Sequence, residues 1–252
     1  MSHATKSLDA ARQRAKKLSL FRDVEAGILD VILAAGRDEK RDKGSILLHA
    51  TDSSLKYSLI LSGWAGARKS NDEGQESILH IFGVGAFFPD FGTGGRAMGA
   101  EIAALTDLWL FTIPIAALQE SAQRSPALAA NMLAEMSRRS EELRDHVEQL
   151  TLHSALHRIG WFLLKLRVET RAGLEITLPF EKSVIASYLG ITPETLSRSL
   201  THFREQGFTS ARHAVSLPDD YALCDYCDAR LAQDCPHAET PECAQSDIVD
   251  PV

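Results

Sequence analysis

Cysteine is absent from the first 223 residues of this 252-residue chain, and no apolar run reaches the roughly 18 residues that a membrane-spanning helix needs. Residues 1–17 are polar and basic, without the apolar centre of a secretory signal. We therefore expect no membrane partner and a cytoplasmic location.

A basic excess is missing as well, since the formal net charge at pH 7 is −7. Such a charge disfavours contact with nucleic acid, but it is unevenly distributed. The segment from residue 214 onward has nine acids and one base, Arg230, so the preceding 213 residues are nearly neutral at about +1. Any contact with phosphate must therefore come from outside this acidic segment.

The residue patterns of a catalyst are also lacking. No nucleophile and base stand at an informative spacing. Gly92, Gly94 and Gly95 are not followed by the helix that a phosphate-binding loop needs. We expect a protein that is not an enzyme.

What the chain does have is the composition of a soluble globular protein, with 44% hydrophobic and 24% charged residues. Residues 6–36 follow a helical period that ends at Gly36. Residues 43–114 then alternate short runs of branched and aromatic residues with turns, which is typical of a small β-barrel or roll. The predicted strands are residues 45–49, 57–61, 77–82, 101–105 and 109–113.

A long helix is predicted to begin near Pro126. Its apolar and small residues step alternately by four and three, the heptad pattern of a helix that pairs with another helix. Because the stripe extends over three heptads, pairing in a homodimer explains it better than packing against the roll alone. The stripe consists of Ala129, Leu133, Met136, Ser140, Leu143, Val147 and Leu150.

Residues 180–207 predict two short helices joined by a tight turn, after a preceding helix that Ser154 can cap. The first spans about residues 181–189, and Gly190 permits the turn. Thr192 is a good N-cap for the second helix, Pro193 suits its first position, and Gly207 ends it. This arrangement is typical of a helix-turn-helix that binds double-stranded DNA.

The second helix has one apolar and one polar face. Leu196, Leu200 and Phe203 are expected to be buried. The opposite face suits the major groove, because arginine can contact guanine and glutamate can accept a hydrogen bond from cytosine. The alternative is an ordinary surface helix with a solvated Glu194–Arg198 pair. The candidate DNA-binding residues are Thr192, Glu194, Thr195, Ser197, Arg198 and Thr201.

This layout, and above all residues 191–198 (Ile-Thr-Pro-Glu-Thr-Leu-Ser-Arg), resembles the cyclic-AMP receptor/fumarate-nitrate regulator (CRP/FNR) superfamily. The resemblance covers about residues 20–223. Pro193 and Ser197 are closer to the FNR-type recognition helix, with its Glu-x-x-Ser-Arg pattern, than to the CRP type.

The resemblance implies an α+β fold with an N-terminal β-roll of the cyclic-nucleotide-binding, jelly-roll type. A dimerisation helix and a C-terminal winged helix-turn-helix follow, with residues 208–217 as the wing. The implied target is a palindrome with TTGAT-like half-sites that are read by Glu194, Ser197 and Arg198, and we expect RNA polymerase as a further partner. The predicted domains are residues 1–125, 126–152, 153–218 and 219–252.

Three kinds of signal are open for such a regulator. In the family, a cyclic nucleotide needs a glutamate-containing loop, but the corresponding loop here is bulky and lacks the glutamate, which leaves Arg96 as weak support. Haem would use His49 and His80 as axial ligands, although a lone histidine on a strand is more often an ordinary half-buried residue.

The cysteines favour the third signal, an iron–sulfur cluster. Their spacing is C-x2-C-x7-C-x7-C, and thiolates are soft ligands that suit such a cluster. We predict an O₂- or NO-sensitive 4Fe–4S cluster on Cys224, Cys227, Cys235 and Cys243. The resemblance also leaves Asp145 or Glu142 as alternatives to Cys243, since some relatives take a fourth ligand from the dimer helix.

Other roles for the cysteines remain open. Zinc (Zn²⁺), with His237 in place of one cysteine, and a metal-free thiol switch are alternatives. The weak secondary-structure signal and the prolines from residue 219 onward predict a segment that depends on a metal for its structure. A different class of protein, an iron–sulfur electron carrier that does not bind DNA, would explain the cysteines but not Gly190, Thr192 or Pro193.

Overall fold

A computed structural model describes residues 3–52, 54–71, 74, 76–89, 99–211 and 213–235. The chain divides into two compact units, Met1–Asp145 and His146–Val252. Arg96, His237 and Cys243 lie outside the described residues. Within the described ranges, no helix is both long enough and apolar enough to cross a membrane.

The first unit begins with helices α1 (His3–Ala15) and α2 (Ala26–Ala35), with a 3₁₀ turn at Ser19–Phe21 between them. The sequence predicted one helical stretch over this region. The interruption has a conformational cause, because Asp23 adopts a left-handed backbone with φ of 58° that a continuous helix does not allow. Leu20 and Phe21 are buried at the break, which anchors it in the core.

The described residues of the first unit form eight strands in two antiparallel sheets. The strand order is β1–β8–β3–β6 in one sheet and β2–β7–β4–β5 in the other. The strands are β1 (Arg37–Arg41), β2 (Ile46–Leu48), β3 (Lys56–Ser62), β4 (Ala65–Ser70), β5 (Glu76–Phe82), β6 (Phe87–Phe88), β7 (Glu101–Ala104) and β8 (Leu108–Pro114).

All five predicted strands are present, and the predicted β-roll is confirmed. Strands β1, β4 and β6 were not predicted from the sequence. Strand β1 reads Arg-Asp-Glu-Lys-Arg and has no apolar periodicity, yet it pairs with β8 over its whole length, from Arg37 opposite Thr112 to Arg41 opposite Leu108. Its strand conformation therefore comes from pairing with a distant segment and not from its own pattern.

Alternating residues of the central strands pack into two separate clusters. Leu59 and Phe111 point into one cluster, which also contains Ile32 and Leu33 of α2. Ile60 and Leu110 point into the other, together with Ile102 and Phe82 of the second sheet. This is the two-sided burial expected of strands that lie between a helical layer and a facing sheet.

Helices α3 (Ile115–Arg124) and α4 (Pro126–Leu152) follow the roll. The start of α4 is tied to the roll's N-terminal segment. The Ser125 hydroxyl accepts from Leu128 N and donates to Glu25, and the Asn131 amide donates to the carbonyls of Leu20 and Arg22. The division between the two units falls inside α4.

The second unit contains α5 (Ala155–Thr170), β9 (Glu175–Thr177), α6 (Lys182–Tyr188), α7 (Pro193–Glu205), β10 (Thr209–Ser210) and β11 (Ala214–Ser216). Ser154 caps α5 by accepting a hydrogen bond from His157 N, as predicted. The strands form one antiparallel sheet in the order β10–β11–β9. The predicted winged helix-turn-helix is confirmed.

The cysteine segment differs from expectation where it is described. A 3₁₀ turn at Cys224–Tyr226 and helix α8 (Ala229–Asp234) follow the wing. Leu223, Leu231 and Ala232 are almost fully buried. Residues 219–235 are therefore packed into the second unit by ordinary apolar contacts, which the proline content did not suggest.

Candidate nucleic-acid interface

The turn between α6 and α7 depends on Gly190. Its φ of +60° lies in the left-handed region that favours glycine. Ile191 N donates to Ala186 O at 3.0 Å, which closes the turn. From α5, the Arg158 guanidinium donates to Leu189 O at 2.7 Å and so fixes the turn against the rest of the unit.

The N-terminus of α7 is capped as the sequence predicted. Thr192 Oγ1 accepts from Thr195 N at 3.2 Å, and Pro193 occupies the first helical position. The pKa of Glu194 is lowered by a hydrogen bond from backbone N–H, by another from the Thr192 side chain, and by the charge of Arg198. Glu194 is therefore an ionised, accepting group at neutral pH.

The two faces of α7 are divided as expected. Leu196, Leu200 and Phe203 are buried. The candidate reading residues Glu194, Ser197, Arg198 and Thr201 are exposed, as is Thr192, and Thr195 is half-buried. The Arg198 guanidinium lies 3.4 Å from Thr195 Oγ1, and Thr201 donates back to Ser197 O. The helix thus presents a continuous polar ridge to its surroundings.

The wing is held to α7 by a residue that the sequence analysis missed. The Arg204 guanidinium donates twice to Ser210 Oγ on β10, from Nε at 2.9 Å and from Nη2 at 2.6 Å. On the buried side, Phe203 meets Phe208 edge to face, with ring centroids 4.9 Å apart. The sequence feature that could have identified Arg204 is its position, as a basic residue in the last turn of a helix that directly precedes the predicted wing.

A buried polar group lies between the ends of α4, α5 and α6. His146 stacks on Tyr188 with ring centroids 4.2 Å apart, and the Lys165 ammonium lies over the rings of Tyr188 and Trp161. Burial, followed by the charges of Lys165 and Arg158, lowers the pKa of His146 to about 4. The imidazole is therefore neutral at physiological pH.

The outward stripe of α4 matches the heptad pattern. Ser140 is exposed among its apolar residues. The exposed fractions are 66% for Leu133, 42% for Met136, 44% for Leu143, 57% for Val147 and 38% for Leu150. Large apolar side chains are thus repeated along one exposed face of the helix.

The three described cysteines lie at different ends of α5. The Cys224–Tyr226 turn lies beside His157 and Gly160 near the start of the helix, and Cys227 follows it. Cys235 instead lines a cleft of about 560 Å³ with Val168 and Arg171 near the helix end.

This placement bears on any metal. None of the described residues form a group of three His, Cys, Asp or Glu side chains that could hold one. Cys224 and Cys227 are close enough in sequence and share one side of α5, so they suit neighbouring corners of a cluster. Cys235 does not join them in this arrangement, and Cys243 is outside the described residues. Among the described thiols, the fit to a four-cysteine site is thus limited to the adjacency of Cys224 and Cys227 on one turn.

The other candidate ligands have partners within the first unit. His80 is buried, packs edge-on against Phe82 and lies 3.9 Å from the Glu142 carboxylate. Glu142 also pairs with Arg138. His49 is largely exposed and lies 3.4 Å from Glu101. His49 and His80 each have a carboxylate neighbour in this arrangement.

Comparison with known proteins agrees with this architecture. A Crp-like helix-turn-helix domain matches residues 157–226, and a cyclic nucleotide-binding domain matches residues 39–125. The chain is 30% identical over 209 residues to the transcriptional activator protein anr of Pseudomonas aeruginosa, which covers 78% of this chain and 82% of that protein. It is 30% identical over 217 residues to FnrA of Stutzerimonas stutzeri, with coverages of 81% and 84%.

The structure of FixK2 from Bradyrhizobium japonicum has the same fold, with a TM-score of 0.69 at 21% identity, covering 77% of this chain and 98% of that one. A β-roll, a long helix and a winged helix-turn-helix with an outward polar ridge define a DNA-binding transcription regulator. The similarity to the two activators gives the family, and the chain belongs to the CRP/FNR superfamily.

Proposed function

We propose that this regulator binds palindromic DNA with TTGAT-like half-sites, as a homodimer, through the exposed ridge of α7. The observation that carries the proposal is the outward set Glu194, Ser197 and Arg198 on a capped helix whose other face is buried. Arg198 reads guanine, and ionised Glu194 accepts from cytosine N4. Thr192 and Thr195 stand at the helix N-terminus, where backbone N–H groups favour phosphate.

The homodimer is supported by the exposed stripe of α4. A second copy of the same helix would cover Leu133, Met136, Leu143, Val147 and Leu150 by heptad packing. Exposed Ser140 in the stripe would help to set the register. Two copies would then present two α7 helices about one turn of DNA, or about 34 Å, apart.

Substitution of the reading arginine tests the DNA proposal. Arg198→Ala is expected to weaken binding to a TTGAT palindrome by about 5- to 150-fold, since a bidentate contact contributes about 1–3 kcal/mol of discrimination. Fluorescence anisotropy with a labelled duplex measures the change. Arg124→Ala, at an exposed arginine of α3, is the matched control and should bind as the wild type does. Equal binding by Arg198→Ala and wild type would contradict the proposed reader.

A charge placed in the stripe tests the dimer. Leu143→Asp should give a monomer in sedimentation velocity, because a second copy would bring two carboxylates into the apolar seam. Glu141→Lys changes an exposed residue two positions away and off the stripe, and should remain dimeric. A dimeric Leu143→Asp protein would show that the stripe is covered in another way.

The signal proposed for the regulator is oxygen or nitric oxide acting on a 4Fe–4S cluster held by the C-terminal cysteines. The support is chemical: Cys224, Cys227 and Cys235 are half-buried thiols outside any disulfide, and the first two lie on one turn. Because none of the described residues form a group of three candidate ligands, a cluster on Cys224, Cys227 and Cys235 together requires a different arrangement of this segment.

Anaerobic purification with iron, sulfide and zinc analysis tests the cofactor. Four irons and four sulfides per chain, lost in air and absent from Cys224→Ser/Cys227→Ser, would support the cluster. Stoichiometric zinc in place of iron would indicate a structural metal site. If the protein contains neither iron nor zinc, a metal-free thiol switch remains as the explanation. A cluster in a protein that binds no duplex would favour the electron-carrier class. RNA polymerase is proposed as the partner at the promoter, and co-sedimentation on DNA would detect it.

A further inference from the structure

We infer that Tyr226 is a positioning residue that links the cysteine turn to the recognition helix α7. The inference rests on the proposed role of Cys224 and Cys227 in sensing. It adds the route by which a change at these thiols reaches the DNA-reading surface. The link is a stack of side chains that lies entirely within the second unit.

The Tyr226 ring occupies a tight position between two helices. It lies over Gly160 of α5 so closely that a methyl group added there would overlap the ring. On its other side it meets Phe203 of α7 with centroids 5.7 Å apart and planes at 61°. It also meets His157 edge-on at 5.5 Å. Position 160 therefore requires glycine for packing, because any larger side chain would overlap the Tyr226 ring.

The cysteines flank this ring on one rigid turn. Cys227 N donates to Cys224 O at 3.1 Å and Tyr226 N donates to Leu223 O at 3.0 Å. The turn is anchored by buried Leu223 before it. A shift of either thiol therefore moves the backbone that carries the Tyr226 ring, since the turn has little freedom to absorb it.

A second anchor lies directly after the cysteines. Asp228 Oδ2 accepts from Trp161 Nε1 at 2.6 Å, while Oδ1 caps α8 by accepting from Leu231 N at 2.7 Å. The turn is thus fixed to α5 on both sides. On this turn, Tyr226 contacts Phe203 of α7, so displacement of its ring reaches the DNA-reading helix.

Phe203, which contacts the Tyr226 ring, connects it to the rest of α7 and to the wing. Phe203 is 1% exposed and belongs to the buried face of α7. It contacts Phe208, next to the wing strand β10. Displacement of the Tyr226 ring would leave a void against Phe203, and helix α7 would tilt or loosen to fill it. Both the reading helix and the wing would respond.

The test perturbs the two thiols without any metal. In a Cys235→Ser/Cys243→Ser protein, N-ethylmaleimide can add only to Cys224 and Cys227. Two readouts follow: amide hydrogen exchange of α7, and the Kd for a duplex by anisotropy. Alkylation is expected to speed exchange in α7 and to change the Kd by about tenfold, equivalent to about 1.4 kcal/mol.

Variants of the ring separate coupling from simple packing. Tyr226→Phe keeps the ring and should respond to alkylation as the parent does. Tyr226→Leu should respond by less than about twofold in Kd, whatever its starting affinity. Gly160→Ala keeps every residue of the turn but displaces the ring, and it should lose the response as well. Tyr221→Leu changes a half-buried side chain but keeps the carbonyl that accepts from Cys224 N, and it should retain the response.

Either of two results would overturn the inference. One is unchanged α7 exchange after alkylation of the parent protein. The other is a full response in Tyr226→Leu or Gly160→Ala. Failure of the proposed cluster would appear separately, as missing iron and sulfide. Failure of the proposed DNA site would appear as an absence of duplex binding, and the exchange readout would still report the coupling.

Discussion

Substitution of Gly190 by alanine is expected to lower the free energy of unfolding of the second unit by about 1–2 kcal/mol. The cost comes from the backbone, because a φ of +60° brings a Cβ atom too close to the following carbonyl oxygen, at about that energy. The added Cβ would lie 3.1 Å from Leu150 Cδ2 and 3.4 Å from Arg158 Nη1. Leu150 Cδ2 is the end of a flexible side chain that can move. Arg158 Nη1 is held by its hydrogen bond to Leu189 O, but 3.4 Å is an ordinary contact, so steric contact adds little.

Urea titration of tryptophan fluorescence measures this change. The chain has three tryptophans, and Trp161 is the one in the second unit. In a Trp64→Phe/Trp109→Phe background, the fluorescence therefore reports the second unit alone. The midpoint should fall in Gly190→Ala with an unchanged slope, because the surface exposed on unfolding is the same.

Two controls distinguish backbone strain from crowding. Gly190→Asn should lose less than alanine does, because asparagine tolerates the left-handed region better. Gly173→Ala, where nothing lies within 4 Å of the added atom, should be neutral or stabilising by up to about 1 kcal/mol. Wild-type stability of Gly190→Ala, or a greater loss in Gly190→Asn than in Gly190→Ala, would refute the explanation by backbone strain.

Three further predictions concern the same unit. The pKa of His146 falls from 6.5 to about 4 on folding, so the unfolded chain binds the proton more readily than the folded chain. The free energy of unfolding should therefore be full above about pH 6.5 and decline by up to about 3 kcal/mol toward pH 4. Urea titrations of His146→Phe should lack this decline. Thr192→Ala should lose about 1 kcal/mol of stability and bind DNA more weakly, whereas Thr192→Ser should retain the cap; an equal loss in both would exclude capping as the cause. Asp228→Ala removes the hydrogen bond from Trp161 and the cap of α8, and should lower the free energy of unfolding by about 2 kcal/mol in the same fluorescence titration. Asp225→Ala removes an exposed carboxylate and should leave the free energy of unfolding unchanged.

The recognition unit could be predicted from sequence because its signals are local. Gly190 is required by the turn, and Thr192 and Pro193 by the start of the next helix. Each of these acts over three or four residues, so the pattern is complete within one stretch of chain. The heptad stripe of α4 is equally local, since helix geometry alone decides which side chains share a face.

The parts that were missed depend on distant partners. Strand β1 is polar throughout, and its pairing with β8 joins residues about 70 positions apart, from Arg37 and Thr112 to Arg41 and Leu108. The break between α1 and α2 combines the left-handed backbone of Asp23 with the burial of Leu20 and Phe21. No periodicity within either segment contains that information.

For the cysteine segment, the sequence indicated the type of role, and the tertiary structure decided where the thiols lie. Its spacing indicated a metal or redox role, but spacing does not say which faces of a helix the thiols approach. That Cys224 and Cys227 lie near the start of α5, and Cys235 near its end, follows from the way residues 219–235 fold back along the helix.

By itself, the amino-acid sequence determined the winged helix-turn-helix, its cap and turn, the roll's main strands and the heptad stripe of α4, because capping, turn sterics and residue periodicity act within a few residues. Only the tertiary structure decided that Gly160 receives the Tyr226 ring, that Trp161 bonds Asp228, and that Arg204 holds the wing. Those contacts join segments far apart in the chain, and their existence depends on how the helices pack.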